Sequence, residues 1–214
     1  MLDRLRHPAH PVLLLGGVAL LAAAVTTSAT VVHVDAALGR LARAAAGEVP
    51  HHAGYLVSTL ASTDLVLPLT GAAVLILCLL RHWGGALVLA LAVLGTQAVV
   101  DLIKLTVERP RPGLNGSLAE ASGFSFPSAH SATGMALYAT LTLLAARACS
   151  GRARVAIVAA GTSVIAAIGM SRVFLAAHYP IDVLAGWLTG GALVAASWLL
   201  VRRVGVRMPR AQTA

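Results

Sequence analysis

Six long apolar runs alternate with shorter polar segments along the chain. A helix needs about 20 mostly apolar residues to cross the hydrocarbon core of a bilayer. The runs cover residues 12–32, 56–80, 84–106, 128–147, 155–175 and 181–201. This pattern predicts an all-α, polytopic membrane protein with six transmembrane helices in one bundle. No repeat or low-complexity linker divides the chain, so we expect residues 1–214 to form a single membrane-embedded domain.

The composition agrees with a lipid environment. Hydrophobic residues make up 58% of the chain and charged residues 11%, and the mean hydropathy is +0.84. Soluble domains carry about 25% charged residues. The net charge of +8 comes from basic residues at the ends of apolar runs. Because they are not clustered with aromatic side chains on one face, we expect no nucleic-acid partner.

The basic residues also predict an orientation. With six spans, both termini lie on one side, together with ten of the sixteen Arg and Lys residues. Positively charged loops stay in the cytoplasm. We therefore expect a multi-pass protein of the cell membrane with cytoplasmic termini, and the six remaining cations face outward.

Two segments near the N-terminus have alternative interpretations. Run 12–32 exceeds the length of a signal-peptide core, which favours a retained helix over a cleaved signal. In segment 33–55, the side chains of Leu38, Leu41, Ala42 and Ala45 share one helical face, as in an interfacial amphipathic helix; a plain loop is the alternative. His33, His51 and His52 are expected in a solvated loop rather than at a metal.

Ionisable residues are expensive near membrane helices and are commonly functional there. Lys104 lies in the last turn of run 84–106. The sequence Arg109-Pro110-Arg111-Pro112 follows, and its prolines stop the helix and stiffen the backbone. Arginine offers a planar fork for phosphate oxygens, and lysine adds a point charge. A basic patch that contacts anionic headgroups is the alternative.

Two further segments add polar groups at the same membrane face. Ser128 opens run 128–147 as a helix cap with His130 in the first turn, and helix starts attract anions. Before run 181–201 lie Arg172 and His178, and Asp182 follows one turn later, where it can orient the histidine. Taken separately, the Ser128 segment is explained by simple helix capping, and His178 with Asp182 by an ion pair between a loop and a helix. Together they predict an anion site with a nucleophile and a general acid, suited to phosphoryl transfer without a metal.

The three segments resemble the signature of the type 2 phosphatidic acid phosphatases, or lipid phosphate phosphatases. The first part, Lys, six residues, Arg-Pro, is similar to Lys104 through Arg111-Pro112. The second, Pro-Ser-Gly-His, is similar to Pro127-Ser128-Ala129-His130. The third, Ser-Arg, five residues, His, three residues, Asp, is similar to Ser171-Arg172, His178 and Asp182. The signature thus covers residues 104–182, and Ala129 departs from it, where the family has glycine.

The resemblance implies a role for each matching position. His178 would attack phosphorus and form a phosphohistidine, Asp182 would orient it, and His130 would protonate the leaving oxygen. The phosphate oxygens would be held by Lys104, Arg111, Ser128, the Ala129 N–H and Arg172. Metal and cofactor are not required. Arg109 matches no signature position, and we expect it to be secondary.

The substrate implied is a lipid phosphate or diphosphate at the extracytoplasmic face. An outward site in a short chain favours a polyprenyl diphosphate such as undecaprenyl diphosphate. Phosphatidic acid, diacylglycerol pyrophosphate and phosphatidylglycerol phosphate are alternatives. The alternative classes are a vanadate-dependent haloperoxidase, an intramembrane serine protease using Ser128, a haem-binding bundle and a non-enzymatic lipid-phosphate transporter. The sequence makes no prediction about oligomeric state.

Overall fold

Residues 9–47, 51–112 and 123–206 are described by the computed structural model, and within them the chain is helical without a strand. Eight α-helices follow one another in these ranges. They are α1 (Ala9–Thr27), α2 (Ala29–Ala46), α3 (His51–Thr59), α4 (Thr63–Leu79), α5 (Trp83–Val107), α6 (Ala129–Arg147), α7 (Gly151–Phe174) and α8 (Pro180–Arg203). The predicted all-α class is confirmed.

Five segments of the described chain are long and apolar enough to cross a membrane. They are α1, the stretch His52–Leu79, α5, α7 and α8. The sixth predicted span, 128–147, is a helix, α6, but it is not among these five. Hydroxyl-bearing and small residues dilute its apolar character. The reason is its position, because α6 packs against α5, α7 and α8 and so faces protein rather than lipid.

The segment predicted as an amphipathic helix or a loop is mostly helical. It contains most of α2 and the start of α3, and residues 48–50 lie outside the described residues. The expectation that His33, His51 and His52 lie in a loop is therefore wrong: His33 is in α2, and the other two begin α3. Ser28 caps α2 by accepting a hydrogen bond from the Val31 N–H.

Helix α2 has two different faces. Val34, Leu38 and Leu41 form an exposed apolar stripe, whereas Asp35 and Gly39 are buried. The buried face packs against α1, α7 and α8. The far end of α2 is tied to α7 by Arg43, whose NH1 donates to the carbonyl of Val173 at 3.3 Å.

The crossing of α6 and α8 requires glycine. A Cβ added at Gly186 would lie 2.6 Å from the carbonyl oxygen of Ser128, and one added at Gly190 would lie 2.3 Å from that of Ala132. Small residues allow such close backbone approach between membrane helices. This contact holds the N-terminal ends of α6 and α8 side by side, at what we call the site end of the bundle.

Replacing Gly190 by alanine should destabilise the fold, because the new Cβ meets a backbone carbonyl that cannot move aside. Overpacking of this kind costs roughly 1–3 kcal/mol. The neighbouring Gly191→Ala variant is the matched control, since its Cβ would meet only flexible side-chain ends, at 3.4 and 3.8 Å. Thermal unfolding in detergent should show a lower Tm for Gly190→Ala alone. Equal melting of both variants would contradict the close α6–α8 contact.

Candidate active site

The residues predicted from the three sequence segments meet at the site end of the bundle. Lys104 lies in the last turn of α5 and Arg172 in the last turn of α7. His130 lies in the first turn of α6, within electrostatic range of both of these cations and of Arg111 and His178. Three cations and two histidines that are far apart in the sequence therefore lie near one another at this end of the bundle.

His178 is placed by the tight turn that joins α7 to α8. The backbone N–H groups of Ala177 and His178 both donate to the carbonyl of Arg172, at 3.1 and 3.2 Å. Ala176 adopts the left-handed conformation with φ +52°. This turn buries the imidazole, which is only 2% exposed.

A backbone carbonyl sets the tautomer of His178. Its Nδ1 lies 2.8 Å from the carbonyl oxygen of Ser125. A carbonyl can only accept a hydrogen bond, so Nδ1 must carry the proton and the lone pair of the neutral ring lies on Nε2. Nε2 in turn lies 3.1 Å from NH1 of Arg111, which is a donor. The nitrogen with the lone pair thus faces a cation suited to phosphate.

Burial keeps this imidazole neutral. Desolvation lowers the pKa of His178 to about 4, although the nearby Asp182 carboxylate acts in the opposite direction. Removal from water disfavours the charged form of any histidine. At neutral pH the ring therefore keeps its lone pair on Nε2, where it accepts from NH1 of Arg111.

Arg111 is held in place by backbone carbonyls. Its Nε donates to the carbonyl of Gly123 at 3.0 Å, and its NH1 donates to that of Ala177 at 2.9 Å. These contacts connect the segment after α5 to the turn before α8. They direct the guanidinium toward His178, as the predicted phosphate-binding role of Arg111 requires.

Arg109, which matches no signature position, takes part in a buried network of charges. Arg109 is 5% exposed and lies between two carboxylates. Its NH1 donates to Oδ1 of Asp182 at 2.5 Å, and its NH2 donates to Oδ2 of Asp35 at 2.8 Å. Its guanidinium carbon also lies 4.2 Å from the ring centroid of Tyr179. Asp35, on α2, was missed by the sequence analysis altogether.

The predicted pairing of His178 with Asp182 is looser than expected. Nδ1 of His178 lies 3.6 Å from Oδ2 of Asp182, which is an ion-pair distance but too long for a hydrogen bond. The same Oδ2 accepts the Tyr179 N–H at 3.0 Å and so caps α8. Asp182 therefore acts on the imidazole mainly through its charge, and Ser125 provides the directional contact.

Ser128 and Ala129 form the start of α6. The Ser128 hydroxyl oxygen accepts from the Ser131 N–H at 3.4 Å and from the Ser131 hydroxyl at 3.0 Å. Its backbone N–H donates to the carbonyl of Asp182 at 2.9 Å. Ser128 thus holds the starts of α6 and α8 together. The first-turn N–H groups of α6, including that of Ala129, lie at the helix N-terminus, where anions bind.

Arg172 has a partner that the sequence did not indicate. It is 5% exposed, and its NH1 donates to the hydroxyl of Ser58 on α3. Its buried Nε has no hydrogen-bond acceptor among the residues that the structure describes. A buried donor without an acceptor is costly, so this atom is suited to an anionic ligand.

The donor set at the site end fits an anion. Lys104, Arg111 and Arg172 are cations, and helix starts add backbone N–H groups. Within ranges 9–47, 51–112 and 123–206, no group of three or more His, Cys, Asp or Glu side chains is placed to hold a metal ion.

Comparison with known proteins assigns the family. The PAP2 superfamily model matches residues 85–205, more than half of the chain. Phosphatidylglycerophosphatase B of Bacillus subtilis (strain 168) is 32% identical over 114 residues, 51% of this chain and 54% of the relative. Lipid A 1-phosphatase of Rhizobium etli is 32% identical over 133 residues, 58% of this chain and 53% of the relative. The chain thus spans about half the length of these curated relatives.

The fold is also shared with a solved structure. The crystal structure of a transmembrane PAP2 type phosphatidylglycerolphosphate phosphatase from Bacillus subtilis superposes with a TM-score of 0.74. It is 24% identical, and the alignment covers 95% of this chain and 100% of that one. Such a likeness shows a common fold. With the match to residues 85–205, it leads to one conclusion: this chain belongs to the PAP2 superfamily.

Proposed function

We propose that the protein is a membrane lipid phosphatase that hydrolyses a lipid phosphate or diphosphate through a phosphohistidine on His178. One observation carries the proposal. The buried, neutral imidazole has its lone pair on Nε2, and Nε2 faces Arg111 within a group of cations. A nucleophile beside an anion-binding site is the arrangement that phosphoryl transfer needs. The names of the phosphatase relatives support the same reaction class.

In the first step, the Nε2 lone pair of His178 forms a bond to phosphorus while the bond from phosphorus to the leaving oxygen breaks. The leaving oxygen takes a proton from His130 in its imidazolium form, which the negative charge of the bound phosphate group favours. Lys104, Arg111 and Arg172 stabilise the charge on the non-bridging oxygens, which is the main demand of a phosphoryl-transfer transition state. Ser128 and the Ala129 N–H contribute hydrogen bonds from the start of α6.

In the second step, water attacks phosphorus and the P–N bond breaks. His130, now neutral, takes a proton from this water, and the bonding pair returns to Nε2 of His178. The inorganic phosphate that forms is bound by the same cations until it dissociates. Both histidines regain their starting states, so no metal or cofactor is needed to complete the cycle.

The proposed substrates share a phosphate group on a lipid. We favour a polyprenyl diphosphate such as undecaprenyl diphosphate, because the charge distribution predicts an extracytoplasmic site. Phosphatidylglycerol phosphate is the second candidate, favoured by the name of the Bacillus relative. Phosphatidic acid and diacylglycerol pyrophosphate complete the panel. The proposed topology has six spans, including α6, with cytoplasmic termini.

Phosphate release from this panel should persist in EDTA and depend on His178. His178→Ala removes the nucleophile and should lower kcat by at least roughly a hundredfold. His33→Ala is the matched control, since His33 is exposed on α2. Release should be followed by a phosphate assay on detergent-purified protein. Activity abolished by EDTA and restored by Mg²⁺ would contradict the proposal.

The acid limb of the pH profile should lie well below the usual pKa of histidine. Because the folded pKa of His178 is lowered to about 4, the neutral ring persists as the pH falls below 6.5. The nucleophile is lost only as the pH drops through about 4. The measurement is kcat/KM against pH, with folding monitored at each pH. If the acid limb is centred near pH 6.5 and arises from His178, the imidazole is not buried in solution as the structure has it.

Ser58→Ala should raise KM by roughly tenfold, because a hydrogen bond to a charged group contributes about 1.5–3 kcal/mol. The Ser58 hydroxyl holds Arg172, and without it the guanidinium is less well aimed at phosphate. Ser62→Ala is the control, since the Ser62 hydroxyl bonds only locally to the Thr59 carbonyl. Steady-state kinetics on the preferred lipid make the comparison. Equal KM values for both variants would show that Ser58 does not position Arg172 for phosphate binding.

A further inference from the structure

Asp35 reaches the active site from a helix that carries none of the signature residues. Its side chain is fully buried, and both of its oxygens accept hydrogen bonds. Oδ2 accepts from NH2 of Arg109 at 2.8 Å, and Oδ1 accepts from the backbone N–H of Ile181 at 3.0 Å. Burial raises the pKa of the Asp35 carboxyl, and the hydrogen bonds from Ile181 and Arg109 oppose that shift. With a donor on each oxygen, the ionised carboxylate, which can only accept, fits the site. Asp35 therefore contacts both Arg109 and the first turn of α8.

The charges of this buried group do not cancel. Asp35 and Asp182 each carry one negative charge, and Arg109 supplies the single positive charge between them. These three side chains together carry one net negative charge while His178 is neutral, and Asp182 also lies within electrostatic range of Lys104 and Arg111. The net negative charge is compensated when the imidazole, whose Nδ1 is 3.6 Å from Asp182, becomes positive. In a poorly solvated interior such compensation acts more strongly than in water.

We propose that Asp35 is a positioning residue for catalysis: by sharing Arg109 with Asp182, it leaves Asp182 with the negative charge that stabilises the phosphorylated His178 ring. This inference rests on the proposed function. Without Asp35, the guanidinium would neutralise Asp182 alone, and the carboxylate would no longer compensate the ring.

The chemical step shows when that charge is needed. As Nε2 bonds to phosphorus and the leaving oxygen takes the proton of His130, the His178 ring keeps its proton on Nδ1. The ring then bears a formal positive charge, and the Ser125 carbonyl and Asp182 lie beside that proton. When water breaks the P–N bond, the electron pair returns to Nε2 and the charge disappears. Asp35 therefore matters for the intermediate more than for substrate binding.

The electrostatic role of Asp35 can be tested separately from the packing of α2 against the bundle. Arg43 fastens the distal part of α2 to the carbonyl of Val173. Among the described residues, no hydrogen bond or ion pair joins it to Asp35, Arg109 or Asp182. The side chains of Val34, Leu38 and Leu41 are exposed, whereas that of Asp35 is buried. A variant at Arg43 therefore perturbs the attachment of α2, and a variant at Asp35 perturbs the charge.

The test compares wild type, Asp35→Asn and Arg43→Ala as full-length, detergent-purified proteins acting on a ³²P-labelled lipid phosphate. Asp35→Asn keeps the shape and removes the charge. Its kcat should fall by at least about tenfold, because Arg109 would then offset the charge of Asp182 beside the phosphorylated ring, with KM changed by less than about twofold. Acid- and base-quench experiments should show less phosphoenzyme per folded protein. Arg43→Ala should behave like wild type.

Two further variants keep the test decisive if Asp35→Asn unfolds. Asp35→Glu retains the charge and should retain most of kcat. Arg109→Lys retains a cation but replaces the fork with a single ammonium, which cannot serve both carboxylates equally, so it should lose kcat without a matching change in KM.

Several results would overturn the inference. These are a wild-type phosphoenzyme level in folded Asp35→Asn, equal losses in Asp35→Asn and Arg43→Ala, or equal losses in Asp35→Glu and Asp35→Asn. Wild type that releases no phosphate from any lipid of the panel would instead contradict the proposed function. The wild-type arm therefore separates the two failures.

Discussion

The pairing of one buried guanidinium with two buried carboxylates organises the site end of this protein. Charges in a protein interior are tolerated only when they are paired and hydrogen-bonded. Arg109 meets this condition by binding Asp182 on α8 and Asp35 on α2 while it lies over the Tyr179 ring. Its own carbonyl accepts the Ser125 N–H at 2.8 Å. The residue that pairs the charges thus also positions the carbonyl that sets the tautomer of His178.

Local pattern was enough to predict the helical class, most helix positions and the segments that form the site. Apolar runs have a length fixed by the bilayer, so α5 and α8 lie close to their predicted positions. His178 and Arg111 lie close together because each follows a helix that ends on the same side of the bundle. The order of the predicted spans already places both helix ends on that side, so the proximity could be predicted from the sequence.

The remaining features depend on contacts between distant segments. Asp35 was missed because a single carboxylate in an amphipathic segment gives no sign that it faces Arg109, 74 positions away. Ser125 contributes a backbone carbonyl, for which no residue type is diagnostic. Helix α6 is less apolar than a lipid-facing span because Gly186 and Gly190 let α8 cover it. Such packing is decided by three-dimensional neighbours, and composition alone cannot reveal it.

The central claim is that Nε2 of His178 takes the phosphoryl group. The most direct measurement is to quench wild-type protein during turnover of a lipid phosphate at high pH, where phosphohistidine survives, and to locate the phosphate by mass spectrometry of peptides. The account predicts phosphate on the peptide that contains His178 and on no other, at a nitrogen that releases it in acid. Phosphate on Ser128 or His130, or turnover with no covalent phosphate even under rapid quench, would contradict it.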